Sequence, residues 1–436
     1  MADPADIAHL LRRTEFVAKP ARVAELSALT LEQAVDNILD IGQNGAPQLP
    51  AYLTTDDSSN RWEQFEFAYF WWADSMVSRQ RPFQEKMTLF WHGHFVSALW
   101  DGVDRVDLMM RQNQLYRSLA LGNFRDLTHQ MSFEPAMLLY LSNANNVNGA
   151  PNENFARELM ELFTLGVGNY TEDDVAAAAR AWTGHNYNST TGTYQFRPTR
   201  HDTGMKTFFG TTTNWDGPDI INEILRDNAP KRLVSARFIA KKLWEFFAHP
   251  GAPANVVNEL ADVFLANDQW LAPLLRALLL RPEFYSATAK QGLVRTPTEY
   301  AVAAMHHSGL NAQTLGLSWR AESMGQVLFN PPNVAGWKAN SYWLNTSALS
   351  GRANLARSVA YNLRKNGGFD FIYTMGTAAA VDHVATYFGI TSMSAVTRNA
   401  LIAAHQAEKD TTRGSEWWAP TNLLTTTMIT PEFNMA

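Results

Sequence analysis

Apolar residues recur at helical rather than strand spacing along almost all of this 436-residue chain. An α-helix turns about 100° per residue, so positions three and four apart share a face. On that basis helices are predicted over 62–76, 87–100, 109–121, 124–131 and 135–141. Thr30 to Gln33 reads as a capping box opening a helix through Ile38, Leu39 and Ile41. The stretch 87–100 is apolar nearly all round, which predicts a central helix buried on most sides. Across 152–166, Phe155, Leu159, Leu162 and Phe163 fall on one face, with Asn154, Arg157, Glu158 and Glu161 opposite. Pro151 suits the first turn of that helix, and Gly166 and Gly168 stop it. Thr171 and Asp174 then cap a helix that runs through alanines to Trp182.

The pattern changes once. Residues 184–210 are rich in Thr, Tyr, Gly and Asn and read as a hairpin with strands 186–189 and 193–197. Helical spacing resumes over 217–225, 230–247, 254–265, 270–280, 296–309 and 315–329. A Pro-rich loop over 330–340 follows, and helices beginning near 349, 379, 393 and 418 complete the chain. The expected fold is mainly α, a single large multi-helical domain with a small β-hairpin insertion. Its parts are an N-terminal helical portion (1–183), the hairpin and loop (184–216) and a C-terminal helical portion (217–436).

Composition narrows the function. A hydrophobic fraction of 46% supplies a large core, and a net charge of −6 argues against a nucleic-acid binder, which needs a basic surface. With no cysteine, disulfides, thiol nucleophiles and iron–sulfur ligation are excluded. No apolar run reaches the roughly 18 residues of a membrane span. The N-terminus lacks a basic region followed by an apolar stretch, so the chain as written is expected to be cytoplasmic.

Four segments carry candidate chemistry. Glu158 and Glu161, at i and i+3, can meet on one side of a helix and hold a metal or split into acid and base. Arg157 beside them can clamp an anion. The same spacing also suits an exposed helix face laced with ion pairs. His92 and His94 lie in an aromatic segment, and imidazole is the commonest metal ligand. On an unbroken helix, however, they point about 200° apart. His201 and Asp202, with Gly204 and Lys206, leave the hairpin in a loop where Lys206 can bind phosphate, sulfate or carboxylate. Trp337 and Asn345 sit in a rigid, aromatic and amide-bearing stretch suited to sugars or peptides, or to a loop packed by its own tryptophans. No Gly-x-Ser-x-Gly elbow, P-loop, His-Glu-x-x-His or dinucleotide fingerprint is present.

Taken in order, several of these pieces resemble a large bacterial family known only as domain of unknown function 1800. They are 8–13 (AHLLRR), 90–95 (FWHGHF), 121–125 (LGNFR), 149–159 (GAPNENFAREL), 165–171 (LGVGNYT), 181–184 (AWTG), 201–206 (HDTGMK), 331–337 (PPNVAGW) and 431–433 (PEF). The resemblance spans essentially the whole chain and implies one continuous helical domain. It supplies no activity. It implies a functional link to a neighbouring family similar to sulfatases and phosphatases. Many relatives look exported, so a periplasmic or extracellular location follows if an export signal has been removed.

These readings combine into an expectation of one pocket lined by Glu153, Arg157, Glu158, Glu161, His94, His201 and Asp202. The leading function is an α-helical enzyme, hydrolytic or metal-assisted, acting on a small-molecule or polymer substrate. Glu158, Glu161, His94, His201 and Asp202 are its catalytic candidates. His92, His94, Glu158 and Glu161 are candidate ligands of a divalent metal ion. Arg157, Lys206, Asn154, Trp337 and Asn345 are candidate substrate contacts. The alternative is a non-catalytic binding or assembly protein using the Trp/Asn-rich loop.

Overall fold

The Pro82–His94 helix is the structural axis of the protein, and the reason is its composition. Its apolar residues face two ways. Phe83, Met87, Phe90 and Trp91 enter one hydrophobic cluster, while Leu89 enters another. The first cluster is built by helices that include Phe124–Ser132, Glu172–Ala181, Gly217–Leu225 and Arg232–Phe247. The second draws on Arg61–Ser78, Val106–Ser118, Pro297–Ser308 and Thr346–Arg364. Burying each large side chain contributes roughly 1.5–3 kcal/mol, so a helix buried on all sides is strongly held.

A helix so buried must also satisfy its polar groups. Glu85 accepts from Arg117 at 2.7 and 2.8 Å and from the Trp72 indole at 3.0 Å. Lys86 pairs with Glu299. Gln84 donates to the Arg117 carbonyl at 3.0 Å, and Thr88 returns to the Gln84 carbonyl. His92 Nε2 accepts from the Phe329 amide at 3.0 Å, and His94 Nε2 meets the Phe163 carbonyl at 3.0 Å.

The computed structural model describes residues 1–42, 47–78, 82–365, 367–411 and 414–436. Among them the fold is mainly α, with two small antiparallel hairpins. Strand β1 (His185–Asn188) pairs with β2 (Thr193–Phe196) in the register His185↔Phe196 and Tyr187↔Tyr194. Asn188 Oδ1 accepts from the Thr190 and Thr191 amides and turns the chain between them. A second hairpin, β3 (Lys206–Phe208) with β4 (Thr211–Thr213), was not anticipated. Its strands are only three residues long, too short for an alternation to register. No described helix is long and apolar enough to cross a membrane.

The predicted 315–329 helix covers only Leu317–Met324, and two others differ in ways that shape their surroundings. The 87–100 helix begins earlier, at Pro82, and ends at His94. Beyond it the chain is drawn off: Leu99 N donates to the Phe329 carbonyl, and Trp100 adopts φ 73. The 152–166 helix is α-helical only over Asn154–Glu158, then π-helical over Leu159–Thr164. Thr164 donates its hydroxyl back to the Leu159 carbonyl at 2.5 Å. The Leu162 and Phe163 carbonyls, which have no intrahelical donor at this end, receive Lys242 Nζ at 3.2 Å and the His94 ring at 3.0 Å.

Candidate metal centre

The first hairpin delivers three potential ligands to one point. His185 opens β1, His201 follows the short turn Pro198–Arg200, and Asp216 is the N-cap of the Gly217–Leu225 helix. One side-chain atom from each lies within 4.8 Å of the other two. Asp216 Oδ1 is 2.9 Å from His185 Nε2 and 3.9 Å from His201 Nε2.

The outer hydrogen bonds orient the rings. His201 Nδ1 lies 2.8 Å from the Thr183 carbonyl. A carbonyl only accepts, so Nδ1 carries a hydrogen, and in the neutral ring the Nε2 lone pair is on the side of Asp216. His185 Nε2 donates to Asp216 Oδ1 at 2.9 Å, since a carboxylate only accepts, and its Nδ1 lies 2.8 Å from the Tyr194 hydroxyl; a bound metal would take the place of the Nε2 hydrogen. At His201 the far nitrogen is held by an acceptor, as it is in metal-binding imidazoles. His185 is buried beneath Trp182, whose ring lies 4.7 Å away, while His201 and Asp216 remain partly open to solvent. Burial raises the Asp216 pKa, but the His185 hydrogen bond and charge, the Gly217 amide and His201 together outweigh it and the net shift is downward, favouring the carboxylate.

Gly217 makes the close approach feasible. A Cβ there would come within 2.7 Å of the Trp182 ring and 3.0 Å of His185 Nε2.

The rest of the 201–206 motif builds the scaffold. Asp202 accepts from Arg180 at 2.7 and 3.3 Å, and its amide donates to Thr183 Oγ1 at 2.7 Å. Lys206 Nζ is enclosed by the Asp202, Gly204 and Trp215 carbonyls and by Asn214 Oδ1, at 2.6–3.1 Å. An ammonium has three donors. Four chain oxygens already surround this one, so it ties the His201 loop to the segment entering Asp216 rather than presenting a donor to an anion.

The other predicted residues lie elsewhere. Arg157 spans Glu153 and Glu172 on the surface at 2.7–3.1 Å. Glu161 accepts from the Tyr170 hydroxyl, whose pKa burial and Glu161 together push up to about 12. Glu158 is half-buried; burial, then Glu161, raises its pKa. Asn154 is exposed. Asn345 caps the Thr346–Arg364 helix through the Ala348 amide and donates to the Tyr342 carbonyl. His92 and His94 are turned to different partners, the Phe329 amide and the Phe163 carbonyl.

His94 and Trp337 do meet, in a cleft of about 340 Å³ lined also by Lys242 and Glu245. Glu153, Arg157, Glu158, Glu161, His201 and Asp202 stand outside that lining. The expected pocket is thus divided among three places: a surface ion-pair network, the cleft, and the three-ligand cluster.

Residues 9–435 match the family described as "Protein of unknown function (DUF1800)". The chain belongs to the DUF1800 family. No curated relative and no solved structure matches it. Within this DUF1800 chain, sequence reasoning reached His201 but missed His185 and Asp216. The usable signal was indirect: a histidine directly after Trp-Thr-Gly at a strand start, and an Asp–Gly–Pro helix entry.

Proposed function

We propose that this protein is a divalent-metal-dependent hydrolase whose metal is held by His185, His201 and Asp216. The observation that carries this reading is His201 Nε2, which holds the lone pair of the neutral ring, facing Asp216 Oδ1 at 3.9 Å. Two acceptors placed opposite one another repel unless a cation or a proton lies between them. Two imidazoles and one carboxylate suit a borderline transition-metal ion such as Zn²⁺, at bond lengths of about 2.0–2.2 Å. Tetrahedral bonds of that length set ligand atoms about 3.3 Å apart, so His201 would move inward while His185 and Asp216, at 2.9 Å, separate slightly.

Three protein ligands leave a coordination position for water. A metal so bound lowers the pKa of its water to about 7 and furnishes hydroxide as a nucleophile near neutral pH. Solvent access at Asp216 and His201 supports an open centre rather than a closed structural one. Asp202, Arg180 and Lys206 act as positioning residues, holding the ligand loop without touching the metal.

Substitution with Co²⁺ tests the reading without knowledge of the substrate. The expected result is a visible d–d spectrum in the wild-type protein that acetohydroxamate perturbs, and its loss in His201→Ala. A spectrum insensitive to acetohydroxamate, or no spectrum in the wild type, overturns the proposal.

A further inference from the structure

The cleft at His94 carries a second chemistry, independent of the metal centre. It lies where the Pro82–His94 helix meets the Arg232–Phe247 helix and the loop bearing Trp337. Its volume of about 340 Å³ suits a small molecule, and Phe90, Phe246 and Trp337 give it aromatic walls. The loop closes tightly on the helix end. Gly336 has φ +76, and a Cβ there would sit 2.7 Å from the Gly93 carbonyl oxygen.

Lys242 is a lining residue of this cleft. Its Nζ donates to His94 Nδ1 at 3.3 Å and to the Leu162 carbonyl at 3.2 Å, and lies 4.9 Å from the Phe238 ring centroid. Among the described residues no carboxylate forms an ion pair with it; Glu245 acts only at longer range. Desolvation lowers its pKa to about 8, which makes the neutral amine accessible near physiological pH. His94 is set to assist. Its Nε2 hydrogen is committed to the Phe163 carbonyl, so Nδ1 is the nitrogen with a lone pair, and it faces the amine.

We infer that Lys242 is a nucleophilic amine that condenses with an aldehyde or ketone held between Phe90, Phe246 and Trp337. In this step the neutral Nζ bonds to the carbonyl carbon, and the C=O π pair moves to oxygen. One amine proton reaches that oxygen by way of His94 Nδ1. The C–O bond then breaks, the second amine proton leaves with the oxygen as water, and an imine remains on Lys242.

The competing role for Lys242 is purely structural, as a cap on the π-helical carbonyl of Leu162. Reductive trapping separates the two. The intact protein is treated with benzaldehyde and cyanoborohydride, and benzylation is mapped by peptide mass spectrometry. Lys338, at the rim of the same cleft, is the internal reference. Lys242 is expected to be labelled about ten-fold faster than Lys338 or more, as a lowered amine pKa implies. His94→Gln is expected to slow Lys242 and leave Lys338 unchanged. Lys242→Arg preserves a cation at the Leu162 carbonyl, so it should stay folded and lose the fast site. Labelling of Lys242 no faster than Lys338 in the folded wild-type protein overturns the inference.

Discussion

His201 turns its Nε2 toward the Asp216 carboxylate at 3.9 Å, and the Thr183 carbonyl on the opposite side fixes that orientation. The pair is assembled from a loop and a helix cap fifteen residues apart in the chain, and His185 completes it from a strand.

Asp216 has two separable duties. Its side chain caps the Gly217–Leu225 helix, accepting from the Gly217 amide at 2.8 Å, and it faces both imidazoles. Asp216→Asn keeps a good cap. This variant is therefore expected to retain its melting temperature without metal and to lose at least ten-fold in Zn²⁺ affinity, measured by competition with a chromophoric chelator. Tyr194→Phe, which removes only the outer hydrogen bond to His185, should cost about 10–100-fold. Unchanged affinity in both would count against the site.

Gly217→Ala tests the close packing behind His185. The added methyl meets the Trp182 ring, so stability should fall by about 1–3 kcal/mol in urea unfolding. Metal affinity should fall with it, because His185 Nε2 lies next in line at 3.0 Å. A neutral effect on both would mean that the strand and helix are not held this closely.

Much of the fold was legible because its cause is local. The burial of the Pro82–His94 helix followed from apolar residues on every side, and the β1–β2 hairpin from the Thr, Tyr, Gly and Asn-rich composition of 184–210. The Thr30 and Thr171 capping boxes are both formed. The π-helix was not legible, since it depends on Lys242 and His94 arriving from distant helices to satisfy the Leu162 and Phe163 carbonyls. The metal cluster was only partly legible for the same reason. His201 lies in a polar loop motif and could be singled out, but His185 and Asp216 acquire meaning only when strand, loop and helix end come together. Lys206 looked like an anion-binding group from its neighbours. Its enclosure by four oxygens, two from residues 214 and 215, is a tertiary fact.

The Glu85–Arg117 pair anchors the central helix with both side chains fully buried. Arg117→Met is expected to destabilise the protein by about 3–5 kcal/mol, because it removes one member of a buried ion pair with two hydrogen bonds to Glu85. Adding Glu85→Gln should recover part of that loss. Denaturant midpoints of the two single variants and the double variant check this. Equal losses in Arg117→Met and the double variant would show that lost packing, not the lost ion pair, sets the cost.

Glu134 should make stability depend on pH. Burial pushes its pKa up from 4.5 to about 7, against the opposing influence of Arg111. A carboxyl with a raised folded-state pKa binds its proton more tightly when folded. Its contribution is complete below pH 4.5 and is lost as pH rises through about 7. Glu134→Gln should therefore stabilise the protein by about 1–3 kcal/mol at pH 8 and change little at pH 4. Thermal unfolding at the two pH values gives the answer, and equal effects at both would show that Glu134 titrates as an ordinary surface carboxylate.

The most direct test of the metal centre is the Zn²⁺ stoichiometry of the intact protein by isothermal titration, set beside His185→Ala and His201→Ala. The expected outcome is one tight site per chain in the wild type and none in either variant, with helical content unchanged. Wild-type protein that binds no Zn²⁺, or variants that bind it equally well, would contradict the account.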